Sequence, residues 1–244
     1  YGSINSVSRS DVNIILSVNP EKGKIIITSI PRDYYVKLHK NGEYDKLTHA
    51  GIYGVEESVS TIEDLLGIDI NYYVKVNFTS LVKFVDTIDG IDVDSKYAFK
   101  SDDGYSYNVG KNHLNGKKAL SFARERHALP KGDKSRGENH QAILTGIINK
   151  VSNKSILVKY NDLLKSLKPS IVTNFTNSEI TSFVKNQIKK DTKWQIEYVN
   201  LDGTDGYEYT YSYQRNKLYV MIPDESTIET AKEKINELMK KGSK

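Results

Sequence analysis

Two β-branched runs, DVNIILSV at residues 11–18 and KIIITSI at residues 24–30, flank the turn-forming cluster Asn19-Pro20-Glu21-Lys22-Gly23. No other feature restricts the folding of this chain as much. Val, Ile and Thr are stiff at χ1 and suit a pleated strand, whereas Asn-Pro and a following Gly interrupt one. The pair therefore predicts an antiparallel hairpin. Symmetry about Glu21 and Lys22 sets a register that carries Asp11 opposite Arg32. Arg9 and Asp11, two apart on an extended chain, point to the same side. One end of one hairpin thus gathers Arg9, Asp11, Arg32 and Asp33.

Beyond the hairpin the pattern alternates. Val55, Val59, Ile62, Leu65 and Leu66 have helical spacing that stops at Gly67, a C-cap residue. A strand over 72–77, a helix over 79–88 and a strand over 91–94 follow, which predicts a layered α/β fold. Further helices are expected over 114–123, starting near Asn115-Gly116, and over 133–151, with Ile143, Leu144, Ile147, Ile148 and Val151 on one apolar face. Helices over 155–167 and 179–189 come next, the second opened by a capping box, Thr176-x-x-Glu179. Late strands over 194–199 and 218–222 precede a last helix introduced by Ser226-x-x-Glu229. The run GYEYTYSY at 206–213 predicts a strand or hairpin with one tyrosine face packed. There is no internal repeat and no composition break, so a single domain over 1–244 is expected.

Composition narrows the function. With 244 residues, 38% of them hydrophobic, the chain can bury a sizeable core. Its net charge of +4, from 35 basic and 31 acidic residues, is too mild for a nucleic-acid binder. Any anion site must come from local clustering. The absence of cysteine excludes disulfides, zinc–thiolate sites and thiol nucleophiles. No Walker loop, no Gly-x-Ser-x-Gly elbow and no Gly-x-Gly-x-x-Gly turn occurs. No apolar run approaches the length of a membrane span. The abrupt start at Tyr1 leads us to expect an excised piece whose membrane anchor precedes it.

Two more arginine segments stand out. In Ala123-Arg124-Glu125-Arg126-His127, Arg124 and Arg126 diverge if the helix continues and converge if the chain becomes extended. In Gly132-Asp133-Lys134-Ser135-Arg136, Asp133 is a natural N-cap, and Arg136 and His140 share one helical face above Leu144 and Ile147. An anion there would meet arginine, histidine and a helix N-terminus together. Arginine suits phosphate because its planar fork binds two oxygens and keeps its charge. Many arginines around a few aspartates suggest pyrophosphate with a divalent cation; magnesium takes one or two carboxylates plus substrate phosphates. No cluster has zinc spacing. The residues by themselves point to an anion site suited to phosphate; at the hairpin end, a solvent-exposed rim of ion pairs is the alternative reading.

In this order, the segments Ser8-Arg9-Ser10-Asp11, Ile30-Pro31-Arg32-Asp33, Lys46-Leu47-Thr48-His49-Ala50, Asp89-Gly90-Ile91-Asp92-Val93, His113-Leu114-Asn115-Gly116, Phe122-Ala123-Arg124-Glu125-Arg126 and Gly132-Asp133 with Arg136 resemble the LytR–CpsA–Psr family. The likeness is strongest over 1–151 and looser over 152–244, and looks closest to the CpsA-like members linked to streptococcal capsule. It implies an α-β-α sandwich around a central mixed β-sheet, with a hydrophobic lipid pocket whose mouth is ringed by arginines. Carried over, Asp11 binds magnesium (or manganese) with Arg9 beside it. Arg32, Arg124, Arg126 and Arg136 hold pyrophosphate, with Lys46 a further basic contact and Asp33 a supporting acid. His140 stands where the family usually has glutamine, with Gln141 next to it. Family members also carry a Gly-Ile-Asp strand just before the point where this sequence starts.

The activity implied is transfer of a glycopolymer, a capsular polysaccharide or a teichoic-acid-like chain, from a polyprenyl-pyrophosphate carrier to peptidoglycan. The implied place is the extracellular face of a Gram-positive plasma membrane. Such a lipid needs an apolar lining, for which Val82 and Val85 on one helix and Ile143, Leu144 and Ile147 on another are candidates; the same side chains could instead close a solid core. Two rival readings exist. One is a non-catalytic regulator that binds polyprenyl phosphate or polysaccharide. The other is a carbohydrate-binding wall module, suggested by 17 tyrosines. Turnover of a prenyl pyrophosphate would separate them.

Overall fold

A computed structural model describes residues 7–157 and 160–240. The described residues divide into two compact units, one built from 7–73 together with 195–240, the other from 74–194. Each is described by itself.

In the first unit, three strands form a mixed sheet. Lys24–Ile30 lies in the middle, antiparallel to Asn13–Asn19 and parallel to Gln195–Asn200. The hairpin register runs from Asn13 opposite Ile30 to Asn19 opposite Lys24, which is the symmetry about Glu21 and Lys22 that the turn predicts. A central strand is covered on both faces, and accordingly Ile25, Ile26, Ile27 and Ile30 are all buried. Ile26 and Ile30 share a core with Leu66 of helix Val55–Leu66, Val199, and Ile228 and Leu238 of helix Glu225–Met239. Gly67 ends the first helix at φ 59°, as its position suggests. The last helix begins earlier than the Ser226 signal implies. Asp224 is its N-cap, and its carboxylate accepts from the Ser226 backbone N–H at 3.0 Å and the Ser226 hydroxyl at 2.7 Å.

Two short strands, Tyr35–Lys37 and Tyr44–Lys46, pair in the same unit. So do Gly203–Thr210 and Tyr213–Pro223. The tyrosine run is thus a hairpin, but its expected packed face is not there. Tyr207, Tyr209, Tyr211 and Tyr213 are 64, 53, 40 and 37% exposed.

In the second unit, strand Ile91–Ser95 pairs with Gly110–Leu114, and Val74–Val76 with Ile171–Thr173. The expected strand over 72–77 is shorter because Asn77 serves the next helix: its side chain accepts from the Ser80 N–H at 2.8 Å and caps Phe78–Thr87. Helices Gly116–Arg124 and Asp133–Val151 follow. Phe99, Tyr107 and Phe122 cluster with ring centroids 4.8–5.5 Å apart in a core that also holds Val85, Ile91 and Ile143. A Cβ on Gly116 would lie 2.3 Å from the Val82 carbonyl oxygen, so only glycine lets these two helices approach so closely. Of the helix expected over 155–167, Lys154–Leu157 and Tyr160–Leu167 are helical, and positions 158–159 lie outside the described residues. Helix Asn177–Lys190 opens with the predicted box, Thr176 and Glu179 capping each other.

Candidate functional site

The hairpin register delivers its charged end as expected. Asp11 Oδ1 accepts from Arg32 Nη1 at 2.7 Å. Arg32 Nε reaches Asp33 Oδ2 at 3.4 Å, and Asp33 Oδ1 accepts from Lys46 Nζ at 2.9 Å. Asp11, Arg32, Asp33 and Lys46 form one chain of alternating charge, half-exposed at Asp11 and mostly buried at Lys46. The backbone explains why it holds. Thr48 N–H donates to the Arg32 carbonyl at 2.8 Å, and Met221 N–H to the Asp33 carbonyl at 2.8 Å.

Arg9 is exposed two residues before Asp11, and the backbone of its segment is held in place. The Ser10 N–H donates to the Thr48 carbonyl at 3.1 Å. A Cβ on Gly51 would sit 2.5 Å from the Ser8 carbonyl oxygen, so the backbone at 8–10 lies directly on that glycine. Under it, His49 and Asp45 form a buried pair with Nδ1 2.5 Å from Oδ1. Burial pushes the Asp45 carboxyl up, but hydrogen bonds from His49, the Ser212 N–H and the Lys46 N–H outweigh it and leave it below the ordinary range.

In the second unit, helix Gly116–Arg124 ends as Glu125 turns extended, φ −61° and ψ 134°. Of the two alternatives for Arg124 and Arg126, the structure takes the extended one. Both arginines are exposed on either side of a buried Glu125, and among the described residues neither pairs with a carboxylate. Arg124 lies over the Phe78 ring, 5.4 Å from its centroid. Glu125 is the organiser that the sequence reading missed. Its carboxylate accepts from the backbone N–H groups of Arg126, Ala128 and Asp102 at 2.8, 3.0 and 3.0 Å. Burial raises its carboxyl, but these three bonds win and hold it below the usual range. A lone acid between two arginines at a helix end was the available signal.

Asp133 is not the cap of its helix. Gly132, at φ 51°, takes that place, and Asp133 instead holds Arg136 Nη2 at 2.8 Å one turn on. Arg136 is largely buried, and its Nε has no partner among the described residues. His140 is not a second cation at this face. Burial pushes its imidazole down to about 4, against the opposing hydrogen bond to Ala123. Neutral and with its proton on Nε2, it donates to the Ala123 carbonyl at 2.8 Å. Asn139 donates likewise to the Phe122 carbonyl at 2.9 Å. These carbonyls belong to the last turn of helix Gly116–Arg124, where no intrahelical donor remains. His140 therefore supports the arginine-bearing helix end. Gln141 is buried.

The apolar candidates divide. Val85 and Ile143 lie in the solid core, a correction to their expected place on a lipid surface. Val82, Leu144 and Ile147 are partly exposed.

Two carboxylate groups could hold a cation. Asp33 has both oxygens committed to cations, whereas Asp11 commits one, which leaves an oxygen donor of the kind magnesium takes alongside substrate phosphates. Asp102, Glu125 and His127 place one ligand atom each within 4.8 Å of one another. The histidine in that triad suits a transition metal better than magnesium.

With this geometry in hand, the relatives can be compared. The LytR_cpsA_psr family matches residues 3–237, through both units, and the chain belongs to that family. It is 34% identical over 234 residues to the polyisoprenyl-teichoic acid–peptidoglycan teichoic acid transferase TagU of Bacillus subtilis, covering 96% of this chain and 73% of the relative. The crystal structure of B. subtilis TagU superposes with a TM-score of 0.77 at 33% identity, over 98% of this chain and 96% of the other. TagT bound to LI-WTA gives a TM-score of 0.73 at 25% identity, over 95 and 85%. The α/β fold with its mixed sheet is that of the family. The curated relatives are glycopolymer transferases of Gram-positive cell-wall synthesis. Among the described residues, no helix is long and apolar enough to cross a membrane.

Proposed function

We propose that this chain transfers a glycopolymer from a polyprenyl-pyrophosphate carrier to peptidoglycan at the outer face of the cell membrane. The observation that carries this reading is the pair Arg124 and Arg126, exposed at a fixed helix end and unpaired with any carboxylate among the described residues. A diphosphate is the anion that such a pair, with Arg136 of the following helix, suits best; the family resemblance is what adds Arg32 and Arg9. The polymer is a teichoic-acid-like or capsular glycan; the names of the relatives favour the former.

In the reaction, a hydroxyl of the acceptor sugar attacks the sugar-linked phosphorus. The P–O bond to the outer lipid phosphate breaks, and polyprenyl phosphate leaves. Arg124, Arg126 and Arg136 meet the charge that builds on the leaving phosphate, a role that the family resemblance extends to Arg32. Lys46 and Asp33 fix Arg32, and the uncommitted oxygen of Asp11 is the candidate to accept the hydroxyl proton or to hold the cation. Magnesium or manganese, when bound there, adds positive charge at the diphosphate. His140 acts from behind the arginine-bearing helix, and Gln141 next to it is a candidate phosphate contact on the family resemblance. Val82, Leu144 and Ile147 offer the lipid contact, with Val85 and Ile143 as the packed wall behind them.

The test is release of polyprenyl phosphate from a polyprenyl-pyrophosphate glycan in the presence of peptidoglycan, with and without chelator. We expect release that a chelator suppresses, and an Asp11→Ala variant that no longer responds to added magnesium. No release under any metal condition would overturn the transfer reading. Release indifferent to chelator would overturn the role of Asp11 as metal ligand.

A further inference from the structure

The exposed tyrosines have no part in phosphate chemistry, and folding does not explain them. A groove of about 340 Å³ in the first unit is lined by Tyr35, Glu43, Tyr44, Tyr209, Tyr211 and Gln214, among others. The rings of Tyr35 and Tyr44 stack at 4.9 Å. Nothing about this groove is loose. The Tyr211 N–H donates to the Tyr44 carbonyl at 2.9 Å, and the Tyr35 hydroxyl to the Tyr209 carbonyl at 2.9 Å. The buried Asp45 carboxylate accepts from the Ser212 N–H at 2.9 Å, tying the hairpin tip to strand Tyr44–Lys46. Large aromatic surface is thus held in place and left in water, which is the mark of a ligand site.

We infer that this tyrosine groove binds the glycan strand of peptidoglycan, the acceptor in the transfer reaction; the inference rests on that reading for its choice of glycan. Pyranose rings offer C–H faces to aromatic rings and hydroxyls to polar edges such as Gln214 and Glu43. The carboxylate of Glu43 in the lining disfavours a chain of phosphodiesters, which rules against the teichoic-acid-like donor and against nucleic acid here. The volume admits one or two sugar rings, within the range of pockets that take small ligands, roughly 300–1,000 Å³. Lys40 lies 3.7 Å from the centroid of the Tyr53 ring and 5.7 Å from that of Tyr211, which leaves a cation near the groove for the carboxylates that peptidoglycan carries.

Binding of a soluble peptidoglycan tetrasaccharide, followed by calorimetry on the whole protein, tests this. Two aromatic contacts together are worth about tenfold or more in affinity. The Tyr209→Ala/Tyr211→Ala variant should lose that factor, while Tyr209→Phe/Tyr211→Phe, which keeps the rings, should stay within a few-fold of the parent. Should the double alanine variant melt early, Tyr209→Ala alone is the replacement, since that ring is half in solvent. Binding of a polyprenyl pyrophosphate should not change in any of them. Equal glycan affinity in parent and alanine variants, or none in the parent, would overturn the inference while leaving donor turnover, and hence the transfer reading, untouched. Tyrosine-dependent glycan binding without donor turnover would support the groove and sink the transfer reading instead.

Discussion

The two units hold their arginines in opposite ways. In the first, Arg32 and Lys46 are locked by Asp11 and Asp33, so two positive and two negative charges balance. In the second, Arg124 and Arg126 are aimed by backbone: Glu125 clamps three N–H groups, and Asn139 and His140 close the free carbonyls behind. Their positive charge is left uncompensated. The first arrangement gives rigid geometry with a weak field, and the second gives a strong field on a rigid stub. Arg32 removed from the first leaves Asp11 without that ion pair and Asp33 with Lys46, whereas Arg124 or Arg126 removed from the second strands no carboxylate among the described residues.

That contrast predicts the largest effect. Arg126→Ala should lower polymer transfer by about 10²–10³-fold, the scale for one donor to developing charge, with an unchanged melting temperature. Arg32→Ala should lose activity on a similar scale and also melt earlier, because Asp33 then keeps only Lys46. Thermal melts of the purified variants beside transfer assays decide it. Equal destabilisation by both substitutions would erase the distinction between the units.

Smaller effects separate geometry from stability through one substitution in two places. Gly116→Ala pushes a methyl into the Val82 backbone, which cannot retreat without moving a helix. Overpacking of this kind costs about 1–3 kcal/mol, measurable by denaturant unfolding. Gly51→Ala meets the 8–10 segment instead, which can lift away. Its expected signature is a near-normal melt with about tenfold weaker phosphate binding, an order of magnitude being the loss from one displaced charge contact. If Gly51→Ala unfolds the protein, the segment is part of the core rather than a support for Arg9.

How much of this was written in the sequence depends on how local the signal is. The hairpin register followed from a turn between two β-branched runs, and with it the Asp11–Arg32 contact, because a strand's period of two leaves little freedom. Whether the chain leaves the helix between Arg124 and Arg126 stayed open, since no local rule says where helix Gly116–Arg124 stops. A distant pair, Asn139 and His140, helps decide that. The cap at Gly132 was missed because a side chain at Asp133 had a competing partner in Arg136. The tyrosine face was misread because alternation reveals only that a strand has two faces, not that anything covers one. Val85 and Ile143 were assigned to lipid from the helical stripe, which marks an apolar face without distinguishing core from tunnel.

The smallest effect concerns His140, and it separates its supporting role from a role as phosphate ligand. Its folded pKa near 4 lies below the ordinary value of 6.5. Between these limits the unfolded chain binds the extra proton, so stability rises with pH there and is lost as pH falls from about 6.5 toward 4. At pH 5 the penalty is about 1–2 kcal/mol on this account. The carboxylates held low, Glu125 and Asp45, add their own loss in the same direction at lower pH. His140→Gln separates the two contributions. Its amide can still donate to the Ala123 carbonyl but does not titrate. Denaturant unfolding at pH 7 and pH 5 should show a smaller acid penalty in the variant, with phosphate binding at pH 7 unchanged. A variant that keeps the full penalty would move the titration elsewhere. One that loses phosphate affinity at pH 7 would make His140 a ligand after all.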